Sequence, residues 1–357
     1  MKPFTGDLLP ALIGSLPMTD HGEATRLVLK YAPEIPLWVQ LPAYREEGMI
    51  PQFIEGLPGI VQRGDKLRLD TSAPDFENEK LQFYNEYLGV TDGGIDLADS
   101  RFVLSDRTAR GFFELINQVD SLAEKPRAIK GQITGPVTMG TGLVTQEGRA
   151  VFYDLDLRDM VTKLLALKAK WQVRMLKKTG LPVILFFDEP ALAGYGSSAF
   201  LSITKEDIAA CFDEVIGAVL EEGGLPGVHV CANTDWSLIL ESRAHIVSFD
   251  AFSYTENFIL YPKQIRAFME RGGILAWGIV PTSAEDLKRV SCESLIEKLA
   301  DDFGKIKDIG IPLEQVFRQS IITPSCGTGS LRLEEALKVL ELTKEISKRL
   351  RQNHLKG

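Results

Sequence analysis

Short apolar runs recur along the chain, and a stretch with helical spacing of apolar residues follows most of them. The runs are mostly continuous rather than alternating, which is typical of strands buried on both faces of a parallel sheet. This pattern predicts eight β-strands. They are Leu8–Ile13, Pro36–Leu41, Ala128–Ile133, Pro182–Phe187, Gly227–Val230, Ile246–Phe249, Gly273–Trp277 and Ser320–Thr323.

The stretches between these runs are amphipathic. The last one carries leucines on one side and lysines and glutamates on the other, as helices that pack on a core do. Predicted helices include Val151–Lys178, Lys205–Glu221, Pro262–Arg271, Ser291–Asp308 and Leu331–Arg351. Because strand and helix alternate along the chain, we predict an α/β fold. It is a single (β/α)8 TIM barrel over residues 1–357, with a doubly wound open sheet as the alternative.

Residues 42–125 are more than a strand-to-strand connection needs. The segment contains several glycines and prolines, a candidate short strand at Lys66–Asp70, and a candidate helix near Asp106–Leu122. We expect an insertion after the second strand that lies over the top of the barrel, where it could act as a lid. A helical crossover with a static surface excursion is the alternative.

Composition excludes several classes of protein. The 357 residues are 45% hydrophobic and 25% charged, with a net charge of -9, so we expect a globular protein without a nucleic-acid partner. No apolar run has the roughly 18 residues of a membrane helix, and the start lacks a signal peptide, so we expect no membrane partner and a cytoplasmic location. Cys211 and Cys292 fall inside helical patterns and are expected to be structural.

In barrels of this kind the active site lies at the carboxyl ends of the strands. The residues that end the predicted strands are therefore the candidates for chemistry. They are Ile13, Gly14 and Ser15 after the first strand, Asp188 after the fourth, His229 and Cys231 at the fifth, Asp250 after the sixth and Cys326 after the eighth.

Three of these candidates suit a metal ion. His229 and Cys231 are two residues apart, which places both side chains on one face of a strand. Cys326 arrives from another strand end, and an imidazole with two thiolates is a typical zinc set. Asp250 could add an oxygen ligand. The alternative is a buried core histidine with small buried thiols.

Asp188 follows a strand of apolar residues, Val183–Phe187. A carboxylate at the end of such a strand is costly to bury without a partner. The functional interpretation is that Asp188 holds a substrate ammonium group or positions a ligand. Helix capping and loop structure are the alternative for the Asp188-Glu189 pair.

Several motifs, in order along the chain, resemble those of a known superfamily. It includes the C-terminal catalytic barrel of cobalamin-independent methionine synthase, uroporphyrinogen decarboxylase, and zinc methyltransferases that use methyl-corrinoids. The motifs are Ile13–Pro17, Gly48-Met49 with Phe53, Thr134–Thr138, Asp188–Leu192, His229–Cys231 and Pro324–Gly327. The resemblance implies a zinc site at His229, Cys231 and Cys326, a homocysteine-binding loop at Ile13–Ser15, and an acceptor amine held by Asp188.

The sequence departs from the synthase at four places. Asp250 stands where the synthase has a glutamate ligand, and a substrate-binding glutamate is replaced near Pro51-Gln52. The seventh-strand loop, Trp277–Pro281, lacks the histidine that the synthase uses as an acid. We also expect no counterpart of the folate-holding N-terminal barrel. We therefore expect the methyl donor to be a methyl-corrinoid on a separate small protein rather than a folate.

Together these features predict a zinc-dependent methyltransferase with a small-molecule thiol as substrate, favouring a homocysteine-like acceptor. One alternative is a cofactor-free decarboxylase of the uroporphyrinogen decarboxylase type, which would need an arginine-rich mouth. The segments at the strand ends contain few arginines. Another alternative is a non-catalytic barrel that binds a corrinoid.

Overall fold

The computed structural model describes residues 4–64, 66–119, 122, 124–200 and 202–355. Most of the strands in this part of the chain coincide with the predicted apolar runs. In chain order they are β1 Leu9–Pro10, β2 Ile60–Arg63, β3 Lys66–Leu69, β4 Ile129–Thr134, β5 Val144–Thr145, β6 Val183–Asp188, β7 Leu225–Val230, β8 Ile246–Phe249, β9 Ile274–Val280 and β10 Ser320–Pro324.

The α-helices follow the strands as the sequence predicts. They are α1 His21–Tyr31, α2 Phe76–Thr91, α3 Arg110–Val119, α4 Pro136–Gly142, α5 Leu155–Lys177, α6 Lys205–Glu221, α7 Ser237–Leu240, α8 Ala251–Phe258, α9 Pro262–Glu270, α10 Ala284–Leu287, α11 Cys292–Asp308, α12 Leu313–Arg318 and α13 Leu333–His354. Short 3-10 helices cover Arg45–Glu47, Leu97–Asp99, Val151–Tyr153, Pro190–Gly194 and Ser198–Phe200.

Local hydrogen bonds explain where the long helices begin. The Asp154 side chain accepts bonds from the first turn of α5, and Thr204 forms a capping box with Asp207 at α6. Ser291 caps α11 in the same way. None of the helices among the described residues is long and apolar enough to cross a membrane.

Seven parallel strands form the main sheet, in the order β1-β10-β9-β8-β7-β6-β4. Their register places Thr134 beside Asp188, and Asp188 beside His229, at the carboxyl ends of β4, β6 and β7. The α/β prediction is therefore confirmed, and the parallel sheet is compatible with a TIM-like fold. A second sheet, β2-β3-β5, lies outside it.

The second predicted strand, Pro36–Leu41, does not form a regular strand. Leu37 makes an isolated parallel bridge to Lys130 of β4, and Gln40 makes another to Ser15, just beyond β1. Pro36 has no N–H to donate, and its carbonyl accepts a bond from Lys130 N at 2.8 Å. The segment thus contacts β4 at one edge of the sheet and the loop after β1 at the other, and closure into an eight-stranded barrel stays a prediction.

Residues 42–125 share the hydrophobic core of the main sheet. Phe53, Phe83 and Phe102 from this segment are fully buried. The candidate strand at residues 66–70 is confirmed as β3, and the candidate helix near residues 106–122 contains α3. The Nζ of Lys168 in α5 donates to the Val103 carbonyl at 2.7 Å, which fastens the segment to the helical layer.

Phe112 of α3 joins this segment to the rest of the molecule. Its ring lies 6.1 Å from that of Trp38 and 5.1 Å from that of Trp171, and the side chain is fully buried. Phe112→Ala should lower the free energy of unfolding by about 3–5 kcal/mol, because it leaves a cavity between two tryptophans. Phe113→Ala, beside it on a half-buried face, should cost clearly less. Urea unfolding measures both, and equal losses would contradict this packing.

Candidate metal centre

His229, Cys231 and Cys326 converge at the carboxyl edge of the main sheet. Their ligand atoms all lie within 4.8 Å of one another. His229 is in β7, Cys231 follows that strand directly, and Cys326 follows β10. The histidine is buried and the two cysteines are partly exposed, so the group is reachable from one side. The structure therefore brings together the three side chains that the sequence singles out.

The imidazole of His229 is held in one orientation. Its Nδ1 forms a 2.9 Å hydrogen bond with the Oγ of Ser248, its register partner on β8. Its Nε2 is buried and meets no hydrogen-bond partner among the described residues. A buried polar atom of this kind requires an explanation, and one nitrogen fixed while the other points at thiols is the usual arrangement of a metal-ligating histidine.

The two thiols shift each other's pKa in opposite directions. The hydrogen bond from the Cys326 thiol lowers the pKa of Cys231, and burial opposes this effect. The same bond and the burial of Cys326 raise the pKa of that second thiol. Cys231 is thus the more acidic thiol of the pair, and a thiolate is the form that binds metals. Imidazole nitrogen and two sulfurs at these separations fit a zinc ion.

Asp250 stands apart from this cluster. It follows β8 and caps α8, where its Oδ1 accepts a bond from Ser253 N at 2.9 Å. Burial raises its pKa. Its oxygens are not among the ligand atoms that lie within 4.8 Å of one another, as far as the described residues go. Its predicted role as a fourth ligand stays a prediction.

Asp188 ends β6 beside this cluster. Its Oδ1 is buried and has no hydrogen-bond partner in the described part of the chain. Burial raises the pKa of Asp188 to about 6, while the nearby His229 and Lys130 oppose that rise. A carboxylate oxygen that is removed from water and unpaired can receive a cationic group from a ligand.

Glu189, by contrast, has a structural position. Its carboxylate accepts hydrogen bonds from the backbone N–H groups of Val137 and Thr138 at 2.9 and 2.7 Å, and from the Thr138 hydroxyl at 2.6 Å. It therefore caps α4. A Cβ added at Gly135 would lie 2.3 Å from Glu189, so glycine is needed there. Capping is the correct interpretation for Glu189 and does not extend to the unpaired Asp188.

The Ile13–Ser15 loop is fixed beside Cys326 by four hydrogen bonds. The Ile13 carbonyl accepts a bond from the Nζ of Lys130 at 2.7 Å, and the Gly14 carbonyl accepts one from Gln40 N at 3.2 Å. The Ser15 carbonyl accepts one from Thr328 N at 3.0 Å, and the Ser15 hydroxyl accepts another from Gly329 N. The loop thus lies next to the metal ligands, with its carbonyls already paired.

The segment that follows residue 41 reaches the same edge of the sheet. The Thr134 hydroxyl at the end of β4 donates to the Met49 carbonyl at 2.7 Å. Gln52 donates to the Thr108 carbonyl at 2.7 Å and accepts from Gln40. Part of residues 42–125 thus contacts the end of β4, and its position as a cover over the strand ends stays a prediction. Movement of the segment as a lid stays a prediction.

Three residues at or beneath the site were missed by sequence reasoning. Ser248 lies inside the sixth apolar run, two residues before Asp250, and it orients His229. Lys130 and Gln132 are fully buried in β4, below Thr134. The sequence did indicate Lys130, since a lysine is rarely found inside a buried strand unless its charge has a partner.

Glu189 should make stability depend on pH. Burial raises its pKa from 4.5 to about 7, so between these values the folded chain keeps a proton that the unfolded chain has released. The free energy of unfolding should then fall as pH rises through this window, by up to about 1.4 kcal/mol per pH unit. Urea unfolding in chelator, at several pH values, should show a flatter profile for Glu189→Gln. Parallel profiles would contradict the assignment.

Comparison with known proteins gives the fold a context. No family model and no curated protein matches the chain. A solved B12-independent methionine synthase from Shewanella sp. W3-18-1, in complex with selenomethionine, matches with a TM-score of 0.57 and 16% identity over 98% of this chain and 99% of that one. A methyltransferase from Methanosarcina mazei matches with a TM-score of 0.51 and 13% identity over 94% of both. At the level of the fold, the resemblance to the methionine synthase superfamily is confirmed.

Proposed function

We propose that this chain is a zinc-dependent methyltransferase that moves a methyl group to the sulfur of a small thiol. The single observation that carries the proposal is the unpartnered Nε2 of His229, buried and within 4.8 Å of two cysteine sulfurs. The proposal also assigns zinc to His229, Cys231 and Cys326. The fold shared with a methionine synthase and a methyltransferase is consistent with it.

Zinc at this position would favour the thiolate form of an acceptor thiol at neutral pH. The residues around the cluster would orient its ligands and bind the acceptor. Ser248 keeps the Nε2 of His229 directed at the thiols, and the loop Ile13–Ser15 closes the side of the pocket beside Cys326. Asp188 offers an unpaired, buried oxygen that can bind an ammonium group. A homocysteine-like amino-thiol satisfies both features.

The methyl donor that we propose is a methyl-corrinoid carried by a separate protein. A new bond forms between the acceptor sulfur and the methyl carbon, while the carbon–cobalt bond breaks and its electron pair stays on cobalt. The thiol proton would pass to solvent as the thiolate forms, and cobalt leaves readily with the electron pair, so the leaving group needs no acid. Residues Trp277–Pro281, which lie in β9 and directly after it, contain no ionisable side chain that could act as an acid.

Residues 42–125 are proposed to cover the pocket during this transfer. Met49 lies at the strand ends through its bond to Thr134, and its side chain is 44% exposed. The segment Pro36–Leu41 would complete an eight-stranded barrel beneath it through its two bridges. A decarboxylase or a non-catalytic barrel would not explain why His229, Cys231 and Cys326 converge.

Metal analysis tests the first part of the proposal. Purified protein should contain about one zinc per chain, because three strong ligands converge. Cys231→Ser and Cys326→Ser should each lose most of it. Cys211→Ser and Cys292→Ser are matched controls, since both are buried in helices away from the cluster, and they should retain the metal. Equal zinc content in all four variants would refute the proposed zinc site.

The acceptor pocket is tested through Asp188. Asp188→Asn should weaken kcat/KM for an amino-thiol by about 1–3 kcal/mol, the range of a charge-assisted hydrogen bond, with methylcobalamin as donor. A thiol without an amino group should be nearly unaffected, and zinc content should stay the same. Losses of equal size for both thiols would mean that Asp188 acts on the metal centre or on folding, not on the amine.

A further inference from the structure

A cavity of about 960 Å³ lies at the amino-terminal edge of the main sheet. Among the residues that line it, Asp7, Arg127 and Arg318 each precede a strand by two residues, at β1, β4 and β10. Much of the remaining wall comes from the second half of α13. The volume is at the upper end of the usual range for small-molecule sites, about 300–1,000 Å³. The candidate metal centre lies at the carboxyl ends of the strands, so this cavity is separate from it.

The walls of this cavity carry more positive than negative charge. Five lysines and arginines line it, against three carboxylates, although the chain as a whole has a net charge of -9. The five cations are Arg127, Arg318, Lys344, Lys348 and Arg351. A local excess of positive charge in a concave site raises the concentration of anions there, even on an acidic protein.

Three of these cations already have structural partners. Arg351 pairs with Glu34 at 2.9 Å, and Arg318 pairs with a glutamate of its own helix at 3.2 Å. The Nζ of Lys344 donates to the Lys30 carbonyl at 2.7 Å. These contacts hold α13 against the end of α1 and the residues after it, and stability is the usual role of the amino-terminal face of a barrel.

Arg127 and Lys348 are different. Both side chains are exposed, and neither forms an ion pair or a side-chain hydrogen bond with any residue that the structure describes. Basic side chains at the carboxyl end of a helix can stabilise its dipole. That explanation fails here, because Arg127 lies in no helix and Lys348 comes before the last turn of α13. Both charges are thus free to bind an anion in the cavity.

The backbone that lines the cavity before β1 is strained. Asp7 and Leu8 have φ values of 44° and 56°, which side chains other than glycine rarely adopt. Their N–H groups donate to the carbonyls of Arg318 and Ser320, and the Ser347 hydroxyl donates to the Leu8 carbonyl at 2.7 Å. The Oδ1 of Asp7 is buried and has no hydrogen-bond partner among the described residues. Maintained strain beside an unpaired buried acceptor is typical of a binding site.

We propose that this cavity binds a phosphate monoester that also carries hydroxyl groups, as sugar phosphates and nucleotides do. A phosphate monoester has close to two negative charges at neutral pH, which matches the two unpaired cations, Arg127 and Lys348. A hydroxyl group of the ligand donates to the Oδ1 of Asp7. Because β1 and β4 are the two ends of the seven-stranded sheet, the ligand joins both ends to α13.

Titration calorimetry of the full chain with ribose 5-phosphate tests this site, at constant ionic strength and about pH 8, where the phosphate is a dianion. One saturable site is expected. Arg127→Ala and Lys348→Ala should each weaken binding about tenfold, the scale of one hydrogen bond to a charged group. Absence of saturable binding to the unaltered protein would refute the proposal.

Arg349→Ala is the matched control. Arg349 is next to Lys348 on α13, but it binds Glu293 and Glu345 and does not line the cavity. The variant loses the same charge from the same helix, so its affinity for ribose 5-phosphate should stay within about twofold of the unaltered protein. Equal weakening in Lys348→Ala and Arg349→Ala would indicate general attraction of anions and would overturn the site.

Asp7→Asn tests the hydroxyl contact. Asparagine tolerates the left-handed backbone, so the turn and the melting temperature should be preserved. The variant should bind ribose 5-phosphate about fivefold more weakly, because an uncharged acceptor makes a weaker hydrogen bond. It should bind methyl phosphate, a monoester without hydroxyl groups, at least as well as the unaltered protein, since a repelling charge is gone. Equal weakening of both probes, or of neither, would overturn the proposal.

AMP distinguishes the two kinds of ligand, because it shares the ribose phosphate and adds a planar base. Phe317 lines the cavity with its ring stacked on that of His354, at 4.4 Å between centres. Tighter binding of AMP than of ribose 5-phosphate would assign the cavity to nucleotides, and weaker binding would assign it to sugar phosphates. Cys231→Ser should bind either ligand normally, since the metal ligands lie at the opposite edge of the sheet.

Discussion

The register of the parallel sheet is the constraint on which the candidate site depends. Parallel strands end at one edge, so the last side chains of neighbouring strands meet there whatever their distance in sequence. In this chain the shared row places Asp188 beside His229, and the next strand supplies Ser248 to orient the imidazole. A shift by one residue would turn these side chains to the opposite face of the sheet and disperse the cluster.

The sequence predicts most of this arrangement because the spacing of apolar residues along the chain is a local signal for buried strands and amphipathic helices. Seven of the eight apolar runs are strands, and the His229–Cys231 spacing correctly indicates a shared face. Pro36–Leu41 differs because proline and two long-range bridges decide its conformation, which composition does not reveal. Glu189 is hydrogen-bonded to the start of α4, whereas the Oδ1 of Asp188 has no hydrogen-bond partner among the described residues. This difference depends on the packing of α4, so the sequence could not assign different roles to the two adjacent carboxylates.

Polar groups beneath the site show how a buried sheet can carry charge. The amide of Gln132 donates to the Trp38 carbonyl at 2.7 Å, and Lys130 spans from the same strand to the loop after β1. Because Pro36–Leu41 does not form a regular strand, some nearby backbone carbonyls lack a strand partner. These side-chain bonds satisfy two of them. These hydrogen bonds to backbone carbonyls thus offset part of the desolvation cost of burying the amide and ammonium groups.

The bond between the Ser15 hydroxyl and Gly329 joins positions 314 residues apart, and it lies beside the last cysteine of the cluster. During synthesis, the first two candidate ligands leave the ribosome long before Cys326 does. A nascent chain can therefore offer a histidine and one thiol, which is too weak a set to retain zinc firmly. At the proposed zinc site, metal binding would therefore be a late event that needs the complete fold, and truncated chains would not retain zinc.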